Sequence, residues 1–150
     1  MTIKPNGIPP SKVLIADDNP QILELLEAYL EPLSVQVSLA ADGEATLAAI
    51  ERQPPDLILL DIMMPKRSGY EVCRLLKDDP RYRDIPIVMI TALNEVGDWE
   101  RARECGADDF LSKPVNKIEL LARVQNLLKL RHLKRSLNRR GPEPNSPPQK

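Results

Sequence analysis

From Val13 onward, short runs of β-branched and aliphatic residues alternate with longer amphipathic stretches, and this alternation is the tightest constraint on the fold. The runs lie at 13–16, 35–40, 57–60, 87–90 and 109–111, the last being the weakest. Their continuous apolar character predicts strands buried on both faces, as in a parallel sheet. Between them, Pro20 opens a helix with Ile22, Leu23, Leu26 and Leu30 as its apolar stripe, and Asp42 caps a second that carries Ala45, Leu47, Ala48 and Ile50. Gly69 precedes a third with Val72, Leu75 and Leu76, a fourth starts near Asp98 and ends at Gly106, and a fifth opens near Asn116. Five strands and five helices in strict alternation predict an α/β, doubly wound domain with a five-stranded parallel sheet between helices.

The fifth helix continues beyond what such a domain needs. Leu120, Leu121, Val124, Leu127 and Leu128 close the core, while Leu130, Leu133 and Leu137 extend the stripe at spacings of three and four. Charge changes at the same place. Residues 1–128 hold 14 Lys+Arg against 21 Asp+Glu, whereas 129–140 hold six cations (Lys129, Arg131, Lys134, Arg135, Arg139 and Arg140) and no acid. The expected organisation is a flexible segment 1–11, a globular domain 12–128, a basic helical extension 129–140 and a Pro-rich disordered tail or linker 141–150.

Composition excludes several kinds of chemistry. His132 is the one histidine and Cys73 and Cys105 the one pair of cysteines, so zinc sites, disulfide scaffolds and histidine triads do not fit. The cysteines read as buried small apolar groups and His132 as a surface side chain. Five aromatics (Tyr29, Tyr70, Tyr82, Trp99 and Phe110) are too few and scattered for a base-stacking platform, and Trp99 reads as packing at the start of the fourth helix. No apolar run approaches the ~18 residues of a membrane span, and the N-terminus lacks the apolar core of a signal peptide, so a cytoplasmic location is expected.

In open parallel α/β sheets, ligands bind beyond the carboxyl ends of the strands. There the sequence places Asp17 and Asp18 after the first strand, Asp61 after the third, Thr91 after the fourth and Lys113-Pro114 after the fifth. Clustered carboxylates repel by ~4 kcal/mol per pair at ~4 Å and a dielectric of ~20, so they call for a cation. With oxygen ligands alone, and with waters retained, Mg²⁺ is the expected ion, and phosphoryl transfer is the chemistry such a site supports.

The series Asp17-Asp18, Asp61 with Ile62-Met63-Met64-Pro65 and Ser68-Gly69, Thr91-Ala92 and Lys113-Pro114 resembles the receiver domain of bacterial two-component response regulators, the CheY-like family. The likeness covers 12–128 and implies a flavodoxin-like (βα)5 fold. Between Cys73 and Pro114 it is nearest to PleD-type receivers, which precede a diguanylate cyclase domain, although no cyclase motif follows here.

The resemblance implies that Asp61 takes a phosphoryl group from a sensor histidine kinase or phosphotransfer protein. It implies Mg²⁺ ligation by Asp18, Asp61 and the backbone carbonyl of Met63, with Asp17 acting through water. Lys113 and the ion would offset phosphoryl charge, Thr91 would hydrogen-bond the phosphoryl group, and Phe110 would be the switch aromatic. The Lys113-Pro114 bond is commonly cis in the family. Apolar Met63 and Leu93 flank the phosphoryl position, so self-dephosphorylation is expected to be slow. The chain is then a signalling module with self-phosphorylation and slow self-dephosphorylation, and not otherwise an enzyme.

For the basic extension the favoured reading is a homodimer through the fourth helix, fifth strand and fifth helix, continued along the leucine seam. Attraction to nucleic acid or an anionic membrane comes second, and contact with the acidic body of another subunit third. Two alternatives to the receiver reading remain: an aspartyl-nucleophile, metal-dependent phosphatase, and a phosphate-independent interaction module. Met63 stands where such a phosphatase typically places a second acid, and no acidic or Lys hallmark is missing, as the interaction module would require.

Overall fold

The computed structural model describes residues 8–92 and 96–140 of the chain. The strands are β1 (Lys12–Ala16), β2 (Gln36–Ala40), β3 (Leu57–Asp61), β4 (Ile87–Thr91) and β5 (Asp109–Ser112). The helices are α1 (Pro20–Tyr29), α2 (Gly43–Arg52), α3 (Gly69–Lys77), α4 (Val96–Glu104) and α5 (Lys117–Arg140), with a short 3-10 turn at Glu31–Leu33. All pairings are parallel, in the order β2-β1-β3-β4-β5.

Alternation along the central strands divides the core. Val13, Ile15, Leu57, Leu59, Val88 and Ile90 pack with Leu23 and Leu26 of α1 and Leu120, Val124 and Leu128 of α5. Their neighbours Leu14, Ala16, Ile58, Leu60, Ile87 and Met89 face the opposite layer, with Ile50 of α2, Val72 and Leu76 of α3 and Ala102 of α4. β3 and β4 are buried throughout, as the apolar runs predicted. β2 is not: Gln36, Ser38 and Leu39 are exposed and Val37 is half-buried, because the strand order leaves β2 at an edge.

Local chemistry sets the helix ends. Pro20 stands at the first turn of α1 behind Asn19, whose side-chain oxygen accepts the N–H groups of Gln21 and Ile22. Asp42 and Ser68 cap α2 and α3 by accepting the N–H groups of Ala45 and Glu71, and Asn116 accepts that of Glu119 in α5. After α4 the chain reverses at Gly106, whose φ of +94° lies in the left-handed region that favours glycine.

The packed unit begins ahead of the expected boundary at residue 12. Ile8 is fully buried in the cluster with Val13 and Leu30, and Ser11 is buried beside it, so the segment expected to be flexible is packed from Ile8 onward. Residues 1–7 and the tail 141–150 lie outside the described residues.

α5 continues as one helix through Arg140, but its basic face is not solvated all round. The extension runs across the floor of the sheet, at the end opposite Asp61. Arg135 Nη1 meets Asp56 Oδ1 at 2.9 Å, and Asp56 Oδ2 also accepts the Lys12 N–H at 2.8 Å. Arg131 Nη1 donates to the Asp84 carbonyl at 3.3 Å. His132, expected at the surface, is half-buried with Nε2 2.8 Å from Ser11 Oγ. Ser11 gives its own proton to the Pro9 carbonyl at 2.7 Å, so the histidine N–H donates to the serine. These contacts turn Leu130, Leu133 and Leu137 outward, each about half exposed.

Asp56, 7% exposed, thus joins the starts of β1 and β3 to α5. Replacing Asp56 with Ala leaves the Lys12 N–H and the Arg135 guanidinium without this acceptor. The variant is expected to lose about 1–3 kcal/mol of stability, read as a lower urea midpoint at unchanged slope, with Asp56→Asn losing less. An unchanged midpoint for Asp56→Ala would show that the clasp does not support the fold.

Candidate functional site

The carboxyl ends of β1, β3, β4 and β5 bring together every strand-end residue singled out in the sequence. Asp17 leaves β1 with its N–H bonded to the Ala40 carbonyl of β2 at 3.1 Å, which turns its side chain into the protein at 1% exposure. Its Oδ1 accepts the Asn19 N–H at 2.9 Å and its Oδ2 accepts Lys113 Nζ at 2.8 Å. Asp18, the next residue, is exposed. Asp61 ends β3 at 4% exposure, and carboxylate oxygens of Asp17, Asp18 and Asp61 lie within 4.8 Å of one another.

Lys113 bridges the two buried acids, standing 3.6 Å from Asp61 Oδ1 in addition to its bond with Asp17. Its reach is set by β5, where the Lys113 N–H donates to the Thr91 carbonyl at 2.9 Å, and the following Lys113-Pro114 bond is cis. The Met63 N–H donates weakly to Asp61 Oδ1 at 3.4 Å, while Met63 itself is 63% exposed. Thr91 ends β4 at 1% exposure. Leu93 lies outside the described residues.

Gly69 adds a constraint that its place before a helix did not reveal. Its N–H bonds to the Ile62 carbonyl at 2.8 Å, and a Cβ there would overlap the Asp61 carbonyl oxygen. The start of α3 therefore seats directly on the backbone of Asp61.

The electrostatics are those of a site short of positive charge. Burial, reinforced by the Asp17 charge and less so by Asp18, pushes the Asp61 carboxyl up to about 6, against the opposing pull of Lys113 and the Met63 N–H. At Lys113 burial works against the ammonium, but the bond to Asp17 and the charges of Asp61 and Asp17 outweigh it and raise its affinity for the proton. Three carboxylates facing one ammonium leave an excess of negative charge that a divalent cation matches, and the all-oxygen donor set fits a hard ion such as Mg²⁺. Such a set can hold a cation, present a carboxylate oxygen, and offset charge on a phosphoryl group.

On β5, three residues before Lys113, Phe110 belongs to an aromatic group. Phe110 is half-buried, and Trp99 meets it edge-on with ring centroids 5.2 Å apart at 66°. Arg103 stands 6.0 Å from the Phe110 centroid. Trp99 packs near the start of α4, as read from the sequence, but its partner on β5 depends on tertiary placement. Cys73 and Cys105 are buried as expected; burial pushes the Cys73 thiol up to about 12, and its S–H donates to the Cys105 carbonyl at 3.3 Å.

Comparison with known proteins agrees with this geometry. Residues 13–125 match the family described as the response regulator receiver domain. The response regulator PleD of Caulobacter vibrioides is 47% identical over 121 residues, 81% of this chain and 27% of PleD. The DNA-binding dual master transcriptional regulator RpaA of Synechocystis is 43% identical over 118 residues, 79% of this chain and 49% of RpaA. The chain therefore spans about a quarter to a half of these relatives' length. Among solved structures, a response regulator from Chloroflexus aurantiacus superposes with a TM-score of 0.77 at 35% identity, covering 81% of this chain and 99% of that one. The receiver domain of the sensor histidine kinase PA1611 from Pseudomonas aeruginosa, with magnesium coordinated in its active-site cleft, gives a TM-score of 0.74 at 33% identity, covering 81% and 99%. With the acids, the Thr and the Lys in register at the strand ends, the chain belongs to the response regulator receiver family of two-component signalling.

Proposed function

We propose that Asp61 is the phosphoacceptor of this receiver and that the chain's chemistry is confined to gaining and slowly losing that phosphoryl group. The observation that carries the reading is the juxtaposition of Asp17, Asp18 and Asp61 oxygens within 4.8 Å, with Lys113 Nζ bonded to Asp17 and 3.6 Å from Asp61. A carboxylate oxygen of Asp61 attacks the phosphorus of a phosphohistidine on a histidine kinase or phosphotransfer protein; the P–N bond breaks, its electrons return to the imidazole, and an acyl phosphate forms.

Asp18, Asp61 and the Met63 carbonyl would hold Mg²⁺, with Asp17 acting through water, and the bound ion supplies positive charge to the phosphoryl oxygens. Lys113 exchanges part of its pairing with Asp61 for the new phosphoryl oxygens while keeping Asp17 oriented. Thr91 supplies a hydroxyl at the neighbouring strand end, and Phe110 on β5 is the aromatic that responds. The reading places the chain in the cytoplasm, where response regulators typically act; no described helix is long and apolar enough to cross a membrane.

The output is a change on the face built by α4, β5 and α5, which we take to pair with a second copy along the outward Leu130, Leu133 and Leu137. The nucleic-acid reading of the extension loses support, since Arg131 and Arg135 are half-buried and turned to Asp84 and Asp56. Lys129 and Lys134 remain the exposed cations among its described side chains.

Incubation with Mg²⁺ and a small phosphodonor such as acetyl phosphate tests the assignment. Intact mass is expected to rise by one phosphoryl group in the wild type and not in Asp61→Asn, and chelation of Mg²⁺ is expected to abolish the gain. Labelling of Asp61→Asn to the wild-type extent would refute the assignment, and catalytic turnover of a phosphoester would favour the phosphatase alternative.

The lifetime of the acyl phosphate tests the role of Met63. Its apolar side chain, two residues beyond Asp61, obstructs an attacking water, whereas Asn at this position can hydrogen-bond one. Met63→Asn is expected to shorten the lifetime by about tenfold, equivalent to ~1.4 kcal/mol on the hydrolytic barrier. Decay at the wild-type rate would remove Met63 from the account.

A further inference from the structure

α4 is held to the domain in an unusual way. An ordinary surface helix buries an apolar stripe, but Ala102 is the one fully packed apolar side chain among the described positions of α4, with Cys105 just beyond its end. Among the described side chains, two aromatic residues of other elements supply further contacts. On one side Tyr70 of α3 donates its hydroxyl to the Asp98 carbonyl at 3.1 Å and carries the Arg101 guanidinium 4.3 Å above its ring. On the other, Phe110 of β5 receives Trp99 edge-on and lies 6.0 Å from Arg103, one helical turn further along.

The two seats differ in their freedom to move. Tyr70 is buried at 7% exposure at the start of α3, the helix whose first residue rests on Asp61. Phe110 is half-buried and lies three residues before Lys113, on the strand whose end forms the acidic site. Its strand partner is Met89, two residues before Thr91.

We propose that Trp99, backed by Arg103, is a positioning residue that latches Phe110 on the α4 side, so that the aromatic stack sets how readily the domain reaches its phosphorylated conformation. The inference rests on the phosphoacceptor reading above. On that reading, in which Phe110 is the aromatic that responds, phosphorylation draws Phe110 toward Thr91 and so away from Trp99, and whatever stabilises the stack opposes the phosphoryl group by the same factor. Release of the stack also removes one of the two seats of α4, which leaves the helix pinned at Tyr70 and loosened at Trp99.

An edge-to-face aromatic pair contributes enough beyond burial to change an equilibrium by about 2- to 12-fold, and this is the change expected when it is removed. The experiment is calorimetric titration of the full chain with beryllofluoride in the presence of Mg²⁺. Trp99→Ala is expected to bind about 2- to 12-fold more tightly than wild type, Arg103→Gln to shift the same way by less, and Trp99→Phe to retain wild-type affinity. In a Phe110→Leu background the effect of Trp99→Ala is expected to vanish, a coupling that general loosening of α4 would not produce.

Equal or weaker binding by Trp99→Ala overturns the latch, as does a shift that persists without Phe110. Should Trp99→Ala fail to fold, Arg103→Gln with and without Phe110 provides the same cycle. Beryllofluoride binding by neither wild type nor the Trp99 variants, or equal binding by Asp61→Asn, overturns the phosphoacceptor reading and the latch with it. Wild-type binding that ignores Trp99 overturns the latch alone.

Discussion

Lys113 supports the whole acidic edge, because it is the cation that lets two buried carboxylates share the end of one sheet. Asp17 and Asp61 are 1% and 4% exposed, and Asp18 adds a third charge beside them. At ~4 Å and an effective dielectric of ~20, each like-charge pair costs ~4 kcal/mol, a large fraction of the stability of an ordinary domain. The ammonium at 2.8 Å from Asp17 offsets part of this, yet the Asp61 carboxyl still stands at about 6 against an ordinary 3.8. An acid whose affinity for the proton is raised by folding stabilises the fold below its unfolded pKa and loses that contribution as pH rises from 3.8 through about 6. At neutral pH Asp61 therefore costs on the order of 3 kcal/mol relative to an unperturbed carboxylate. The charge left over makes the site receptive to a divalent ion.

The sheet accommodates this cost by separating its two edges. At the carboxyl ends, acids, a hydroxyl and an ammonium converge because parallel strands deliver successive chain segments to the same edge. At the amino ends, Asp56 accepts the Lys12 N–H and the Arg135 guanidinium, and Ser11 meets His132. That floor fixes α5 against the starts of β1 and β3, while the apolar strands between keep the two edges at a constant distance. The expensive chemistry is confined to one end, and the other end secures the frame that holds it.

Much of this was legible in the sequence for identifiable physical reasons. Period and composition reveal strands buried on both faces, and β3 and β4 were read correctly; the same rule misread β2, because edge position depends on strand order rather than on the run of side chains. Asp17, Asp18, Asp61, Thr91 and Lys113 could be assigned to one edge because a parallel topology dictates where strand ends meet. The clasp was not legible. Arg131, His132 and Arg135 look like the cations of a solvated helix, and only the path of α5 beneath the sheet brings them to Asp84, Ser11 and Asp56. Nor could the close approach of Gly69 to Asp61, or of Trp99 to Phe110, be read from spacing, since each joins elements whose separation is set by packing.

The unequal attachment of the two helices beside β5 determines which of them can carry a signal away from Asp61. α5 buries Leu120, Val124 and Leu128 and adds the three polar contacts of the floor, so moving it would disrupt a layer of the core. Among its described side chains, α4 buries Ala102 and rests on Tyr70 and Phe110. Exposed Glu100 and Glu104 cost little to shift, because their charges remain solvated in either position. A change at the end of β5 therefore meets a rigid helix on one side and a lightly held one on the other. Under the proposed phosphorylation of Asp61 the displacement falls on α4, whose contact with Phe110 is less buried than its seat on Tyr70.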